Sequence, residues 1–280
     1  MQKKALAIHD VSCIGRCSLT VALPILSCAG IETCVLPTAV LSTQTGGMTG
    51  FTFHDLTDEI VPITEHWKTL GQKFDVIYTG YLGSLRQAKL VEAVVRDFRK
   101  PGALVVVDPV MADHGEYYSM MTPDFAEEMR ALCHSADIIT PNLTEAAFLL
   151  DRPYDPSPTK KEVEELLRAL VEQFGVRQAV ITGISFKKDT LGAAAIDART
   201  GAISYAFTEC IHAVFHGTGD IFCSTLVCAV TRGMPLSKAV RIAMDFTLRA
   251  IQRTQKAGTD LRLGVHFEPE LPYLIKRLGI

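Results

Sequence analysis

The residues of this 280-residue chain best placed to do chemistry form one short stretch, His216-Gly217-Thr218-Gly219-Asp220, followed directly by the apolar run Ile221 to Val227. That pattern is a loop opening into a helix. Gly217 and Gly219 are expected to take φ > 0 and to let consecutive N–H groups face one anion where the helix dipole is positive. Asp220 then lies at the same anion site, placed to accept the proton of a substrate hydroxyl as that hydroxyl attacks a phosphoryl group. The local reading is phosphoryl transfer to an alcohol. The competing reading is that Asp220 only caps a helix after a glycine turn.

The elements that must position this stretch decide between the two. Residues 4–9 form a short apolar strand, and residues 15–29 carry helical spacing that Gly30 ends. Further strands are expected at 33–41, 75–79, 104–107, 137–140 and 178–182, with helices at 59–74, 85–99, 159–174, from Gly217 to about Arg232, and from Pro235 to Lys256. Residues 42–52 form a polar loop, and 111–121 a mobile loop before Thr122 caps a helix at Pro123. Pro141-Asn142-Leu143-Thr144-Glu145 turns from a strand into a helix, and a last amphipathic stretch begins at Glu268. Runs at 191–197 and 202–207 read as an antiparallel hairpin on the sheet's edge. Such alternation predicts an α/β fold, a doubly wound, mostly parallel sheet with helices on both faces, in one domain over 1–280. His9-Asp10, Gly80-Tyr81, Asp108, Thr140 to Glu145, Thr182-Gly183 and the Gly217 loop all follow a strand, where such sheets bind ligands. That convergence favours the base over the cap.

Composition sets the outer bounds. The formal charge is −3 and no basic run interleaves with aromatics, which argues against a nucleic-acid partner. No apolar run approaches the roughly 20 residues that span a bilayer, and the N-terminal apolar stretch is too short for a signal peptide, so a cytoplasmic protein without a membrane partner is expected. The eight cysteines show no C-x-x-C pair and read as reduced core thiols. His9, His212 and His216 lie near the proposed pocket but read as satisfied polar residues, and Trp67 as a packing residue. The first loop holds one glycine where a dinucleotide fold wants G-x-G-x-x-G, and no P-loop sequence occurs.

Thr79-Gly80-Tyr81, Asp108-Pro109-Val110-Met111-Ala112-Asp113, Ile139-Thr140-Pro141-Asn142-Leu143-Thr144-Glu145 and Gly217-Thr218-Gly219-Asp220, in this order, resemble the ribokinase superfamily. With Thr45 they resemble its pyridoxal (vitamin B6) kinases, over nearly the whole chain. The resemblance implies ATP-dependent phosphorylation of a B6 vitamer's 5′-hydroxymethyl group in salvage of pyridoxal phosphate, with Asp220 as base and the Gly217, Thr218 and Gly219 amides as anion hole. It places Asp10, Thr45 and Tyr81 at the pyridine ring. Asp108, Asn142, Glu145, Thr182, Gly183, Ile211, His212, Ala213 and Thr218 would meet ATP. It further implies Mg²⁺ near Glu145, through water, and a monovalent cation, K⁺ or Na⁺, near Asp113 and Thr140. Residues 111–121 would be a flap over ATP, and the protein a homodimer. Two departures stand out: Asp10 occupies a position where many pyridoxal kinases carry serine, and Gln44-Thr45-Gly46-Gly47 replaces their His-Thr stretch. A hydroxymethylpyrimidine kinase shares the base and the anion hole, and is the nearest alternative. A non-catalytic sensor on the same fold would need neither Asp220 nor Glu145, and a Rossmann dehydrogenase lacks its glycine fingerprint.

Overall fold

Strand β1 (Lys4–Ser12) is apolar on both faces, as a central strand between two helical layers must be. Ala5 and Ala7 pack into one layer and Leu6 and Ile8 into the other. In this computed structural model, which describes residues 2–118 and 121–280, β1 is flanked in parallel by β2 (Glu32–Leu41) and β4 (Phe74–Thr79). Beyond β4 lie β5 (Arg99–Val107), β8 (Ile138–Ile139) and β9 (Gln178–Ile184), all parallel. β10 (Thr190–Asp197) and β11 (Ala202–Glu209) then complete that edge as the expected antiparallel hairpin. The other edge is closed by β3 (Phe53–Asp55), antiparallel to β2, which sequence reading left unassigned between the loop at 42–52 and the helix at 59–74 because three residues carry no usable alternation.

One face is covered by α2 (Thr57–Thr69), α3 (Leu85–Phe98), α4 (Pro123–His134), α5 (Leu143–Leu149) and α6 (Lys160–Phe174). The other is covered by α1 (Leu19–Cys28), α7 (Thr218–Thr231), α8 (Leu236–Ala257) and α9 (Leu271–Leu278). Local chemistry fixes several ends. Thr159 and Glu162 form a capping box at the start of α6, and Gly175 at φ 65° ends it. Trp67 packs edge-on against Phe74 and Phe98, as expected of a packing residue. Helix α1 starts at Leu19, four residues later than its periodicity suggests, because the chain bends at Gly15 and Arg16 and takes positive φ at Gly15 (103°) and Ser18 (53°).

Strands β1 and β4 are neighbours, yet β1 leads through α1 on one face and β4 through α3 on the other. The connections therefore diverge at the carboxyl ends of these two strands, which leaves a crevice there. Asp10 and Tyr81 stand on its two sides.

Candidate active site

Gly217 makes the turn before α7 possible. Its φ is 74°, and a methyl group on it would lie 2.1 Å from the Arg16 carbonyl oxygen, so the loops after β11 and β1 meet backbone to backbone. Gly219 departs from expectation. It lies in the first turn of α7 without a positive φ, and a methyl group there would meet nothing within 4 Å. What it supplies is open space before a helix N-terminus, not an unusual backbone angle.

Asp220, the third residue of α7, is only 9% exposed. Its Oδ2 accepts the Ser18 amide at 2.8 Å and the Cys17 thiol at 3.5 Å. Burial pushes the carboxyl up to about 6 and the Asp10 charge adds to the rise, while the bonds from Ser18 and Cys17 oppose it. A carboxylate so placed is ionised at neutral pH and more basic than an exposed aspartate, as a proton acceptor should be. Asp10 is buried beside it and accepts the Ser12 hydroxyl at 3.2 Å; burial raises its carboxyl as well, against the Ser18 and Ser12 hydroxyls. Across the crevice, burial and then the Asp10 and Asp55 charges push the Tyr81 phenol up to about 12, which keeps it neutral. Thr45 lies half-buried in the loop after β2. That loop is held by the Gln44 amide, which donates to the Gly46 carbonyl and, at 2.8 Å, to that of Arg262. His216 rests on it so closely that a methyl group at Gly46 would lie 2.3 Å from the ring.

On the other side of Asp220, Asp108 accepts the Thr140 hydroxyl at 3.2 Å. Burial, followed by the charges of Glu145 and Asp220, holds its carboxyl well above the usual range. Burial lifts Glu145 to about 8, although its oxygens accept the amides of Met111 at 3.0 Å and Asn142 at 2.8 Å. Asn142 is equally occupied. Its Oδ1 takes the Glu145 amide at 2.9 Å to cap α5, and its Nδ2 donates to the Ala112 carbonyl at 2.7 Å. These two residues thus fasten the base of the expected flap to α5, and the Gly115 amide adds a bond to Thr144 Oγ1 at 3.0 Å. The flap is correspondingly more ordered than a free loop. β6 (Ala112–Asp113) and β7 (Glu116–Tyr117) pair as a small hairpin, although Ser119 and Met120 fall outside the described residues.

The remaining expected residues are more scattered. Asp113 accepts the His114 amide at 2.8 Å and is half-exposed, whereas Thr140 faces Asp108 and Cys223, so the pair assigned to a monovalent ion shares no hydrogen-bond partner among the described residues. Thr182 donates its amide to the Pro141 carbonyl at 3.0 Å, and Gly183 sits at φ 76°. His212 is exposed and 2.8 Å from Asp189, between Ile211 and Ala213, on the rim of an open cleft of about 800 Å³ that Phe186, Lys187 and Leu191 also line. Of the cysteines, all free, only Cys133, Cys223 and Cys228 are buried core thiols; Cys13 is exposed and Cys17 touches Asp220. His9 also corrects its expectation. It is fully buried with neither ring nitrogen hydrogen-bonded among the described residues, and burial pushes it down to about 3, so it is a neutral packing group wedged against Tyr78 and Gly80. Sequence reading also missed Ser18 and Cys17, because a contact made across 202 residues of chain leaves no local pattern.

Asp10, Asp108, Glu145 and Asp220 are thus four buried carboxylates, and none is ion-paired to Lys, Arg or His among the described residues. Uncompensated buried acids are costly, and a site that gathers them is built to receive positive charge with its ligands. No group of three or more His, Cys, Asp or Glu side chains could hold a metal by itself among the described residues. This donor set therefore suits a hard cation that arrives on phosphate oxygens and keeps its waters.

A doubly wound sheet that carries a buried aspartate at a glycine-opened helix N-terminus is the architecture of the ribokinase-like kinases of small molecules. The chain belongs to the phosphomethylpyrimidine kinase family, whose profile matches residues 25–264. It is similar to a candidate phosphomethylpyrimidine kinase from Bacteroides thetaiotaomicron, solved with pyridoxal, at 39% identity and a TM-score of 0.93, covering 100% of this chain and 96% of that one. The pyridoxal kinase of Lactobacillus plantarum is 31% identical with a TM-score of 0.91, covering 99% and 98%. The pyridoxine/pyridoxal/pyridoxamine kinase of Bordetella avium is 28% identical over 88% of this chain and 83% of its own length. No helix among the described residues is long and apolar enough to cross a membrane.

Proposed function

We propose that this kinase transfers the γ-phosphoryl group of ATP to the 5′-hydroxymethyl group of a B6 vitamer. The observation that carries the reading is Asp220, buried, raised to about 6 and set beside the open space over Gly219. The vitamer's hydroxyl oxygen would attack the γ-phosphorus, its proton passing to Asp220 as the bond to ADP breaks, while the amides of the α7 N-terminus face the phosphoryl oxygens. Glu145, through water, would hold the Mg²⁺ of Mg²⁺-ATP, which would neutralise charge on the phosphates, and Asp108 would meet the nucleotide. The B6 assignment is supported by the pyridoxal in the 39% identical structure and by Asp10 and Tyr81 at the ends of neighbouring strands, close enough for the Asp10 charge to act on the phenol. The test is ADP release with Mg²⁺-ATP and pyridoxal, pyridoxamine, pyridoxine or hydroxymethylpyrimidine in turn. Higher kcat/KM for hydroxymethylpyrimidine than for every B6 form would assign the chain to thiamine synthesis instead.

Asp10 supplies a sharper expectation. A carboxylate here matches a protonated ring nitrogen, through a charge-assisted hydrogen bond of roughly 1.5 to 3 kcal/mol. Asp10→Ala should raise KM for the vitamer about tenfold or more and leave kcat within a few-fold, with Asp10→Ser recovering part of the loss. Unchanged KM for all three vitamers would make Asp10 structural.

The same pair sets a pH signature. Asp220 works as a base only when deprotonated, so kcat/KM of the free enzyme should fall as pH drops through about 6. A cationic ring beside Asp10 offsets the charge that helps raise Asp220, so the acid limb of kcat should lie lower than that of kcat/KM. Coincident limbs in the two pH profiles would show that the ring binds neutral.

A further inference from the structure

Ser18 adopts φ 53° and ψ −124°, a backbone conformation that residues with a side chain rarely take. It occupies the N-cap of α1, yet its side chain caps no amide of that helix. Its neighbours leave it little choice. The Arg16 amide is bonded to the Leu263 carbonyl at 2.9 Å and the Arg16 guanidinium to Glu268 at 2.6 Å. The Arg16 carbonyl is wedged between Gly217 and Gly264, where added methyl groups would lie 2.1 Å and 2.5 Å from its oxygen. The Cys17 amide is tied to Thr20 Oγ1 at 3.2 Å. The turn leading into Ser18 is thus clamped at Arg16 and Cys17, and the result is an amide aimed at Asp220 Oδ2 over 2.8 Å. The Ser18 hydroxyl faces the Cys17 thiol at 4.0 Å, and that thiol in turn donates to Asp220 Oδ2.

We propose that Ser18 is a positioning residue: its clamped main chain fixes the angle of the Asp220 carboxylate toward the anion loop. This rests on the reading of Asp220 as the base. A residue that only supports the fold loses stability and activity together when relaxed, whereas one that stores strain for a catalytic group gains or keeps stability as it loses activity.

The test compares Ser18→Gly and Ser18→Ala with wild type by thermal melting and by steady-state kinetics on pyridoxal and Mg²⁺-ATP from pH 5 to 9. Asp220→Asn serves as the control. Glycine accepts φ 53° freely and lets the amide wander, so Ser18→Gly should keep or raise Tm, lower kcat about three- to tenfold and move the acid limb of kcat to higher pH. Ser18→Ala keeps both the amide and the strain, so it should hold kcat and its acid limb close to wild type, kcat within about twofold. The proposal is overturned if Ser18→Gly lowers Tm, or if it retains the wild-type kcat and acid limb. Near-normal turnover in Asp220→Asn would instead overturn the base itself, whatever the Ser18 variants do.

Discussion

Asp220→Asn should lower kcat by roughly 10²- to 10⁴-fold while leaving the KM for ATP little changed, because the proposed base is lost and the fold is not. Asparagine keeps an oxygen to accept the Ser18 amide, so the link between the loops after β1 and β11 survives. Its stability should move the opposite way. The folded carboxyl is raised from 3.8 to about 6, so its contribution to stability is complete below the unfolded value and is lost as pH rises through about 6. Above that pH the wild-type protein carries the cost of a buried charge that asparagine does not. Thermal melts should therefore show Asp220→Asn matching wild type near pH 4 to 5 and exceeding it near pH 8. If the residue were only a cap for the helix, the variant would lose about 1 kcal/mol of stability at most and retain its turnover. Turnover within a few-fold of wild type in the folded variant would end the base assignment.

How far the sequence reaches is clearest at Asp220 and Glu145. The glycine pattern and apolar run before and after Asp220 are local, so loop and helix could be read directly from spacing, with Asp220 marked as the candidate base. The strand and helix alternation was equally legible, since both faces of β1 are apolar and α3 and α6 carry clear helical periodicity. Glu145 was legible as a first-turn acid, but its occupation by the Met111 and Asn142 amides was not, because that depends on how the flap folds back. The same holds for Ser18, whose significance lies in a dihedral angle and a contact far along the chain. Gly219 shows the limit most plainly. Sequence alone treats it as equivalent to Gly217, yet one is a conformational necessity and the other is a matter of space.

That difference yields the second large effect, from two substitutions identical on paper. Gly217→Ala forces a side chain into φ 74° and sets a methyl group 2.1 Å from the Arg16 carbonyl oxygen, a backbone atom that cannot swing aside. The Arg16 to Ser18 turn must then shift, and with it the amide that holds Asp220. We expect Gly217→Ala to lose several degrees of Tm and at least about 100-fold in kcat, since positive φ alone costs of order 1 to 3 kcal/mol. Gly219→Ala should leave stability unchanged or raise it by up to about 1 kcal/mol, because alanine is the better helix residue and its methyl meets no atom within 4 Å. Yet that methyl would project into the space where the phosphoryl oxygens must meet the first amides of α7. Its activity should drop about 10- to 100-fold, and the affinity for Mg²⁺-ATP should drop with it. Melting curves and kinetics on the two purified variants separate the outcomes. Full activity in a stable Gly219→Ala protein would place the transferred phosphoryl group away from the N-terminus of α7, and the anion hole would have to be sought elsewhere along the strand ends.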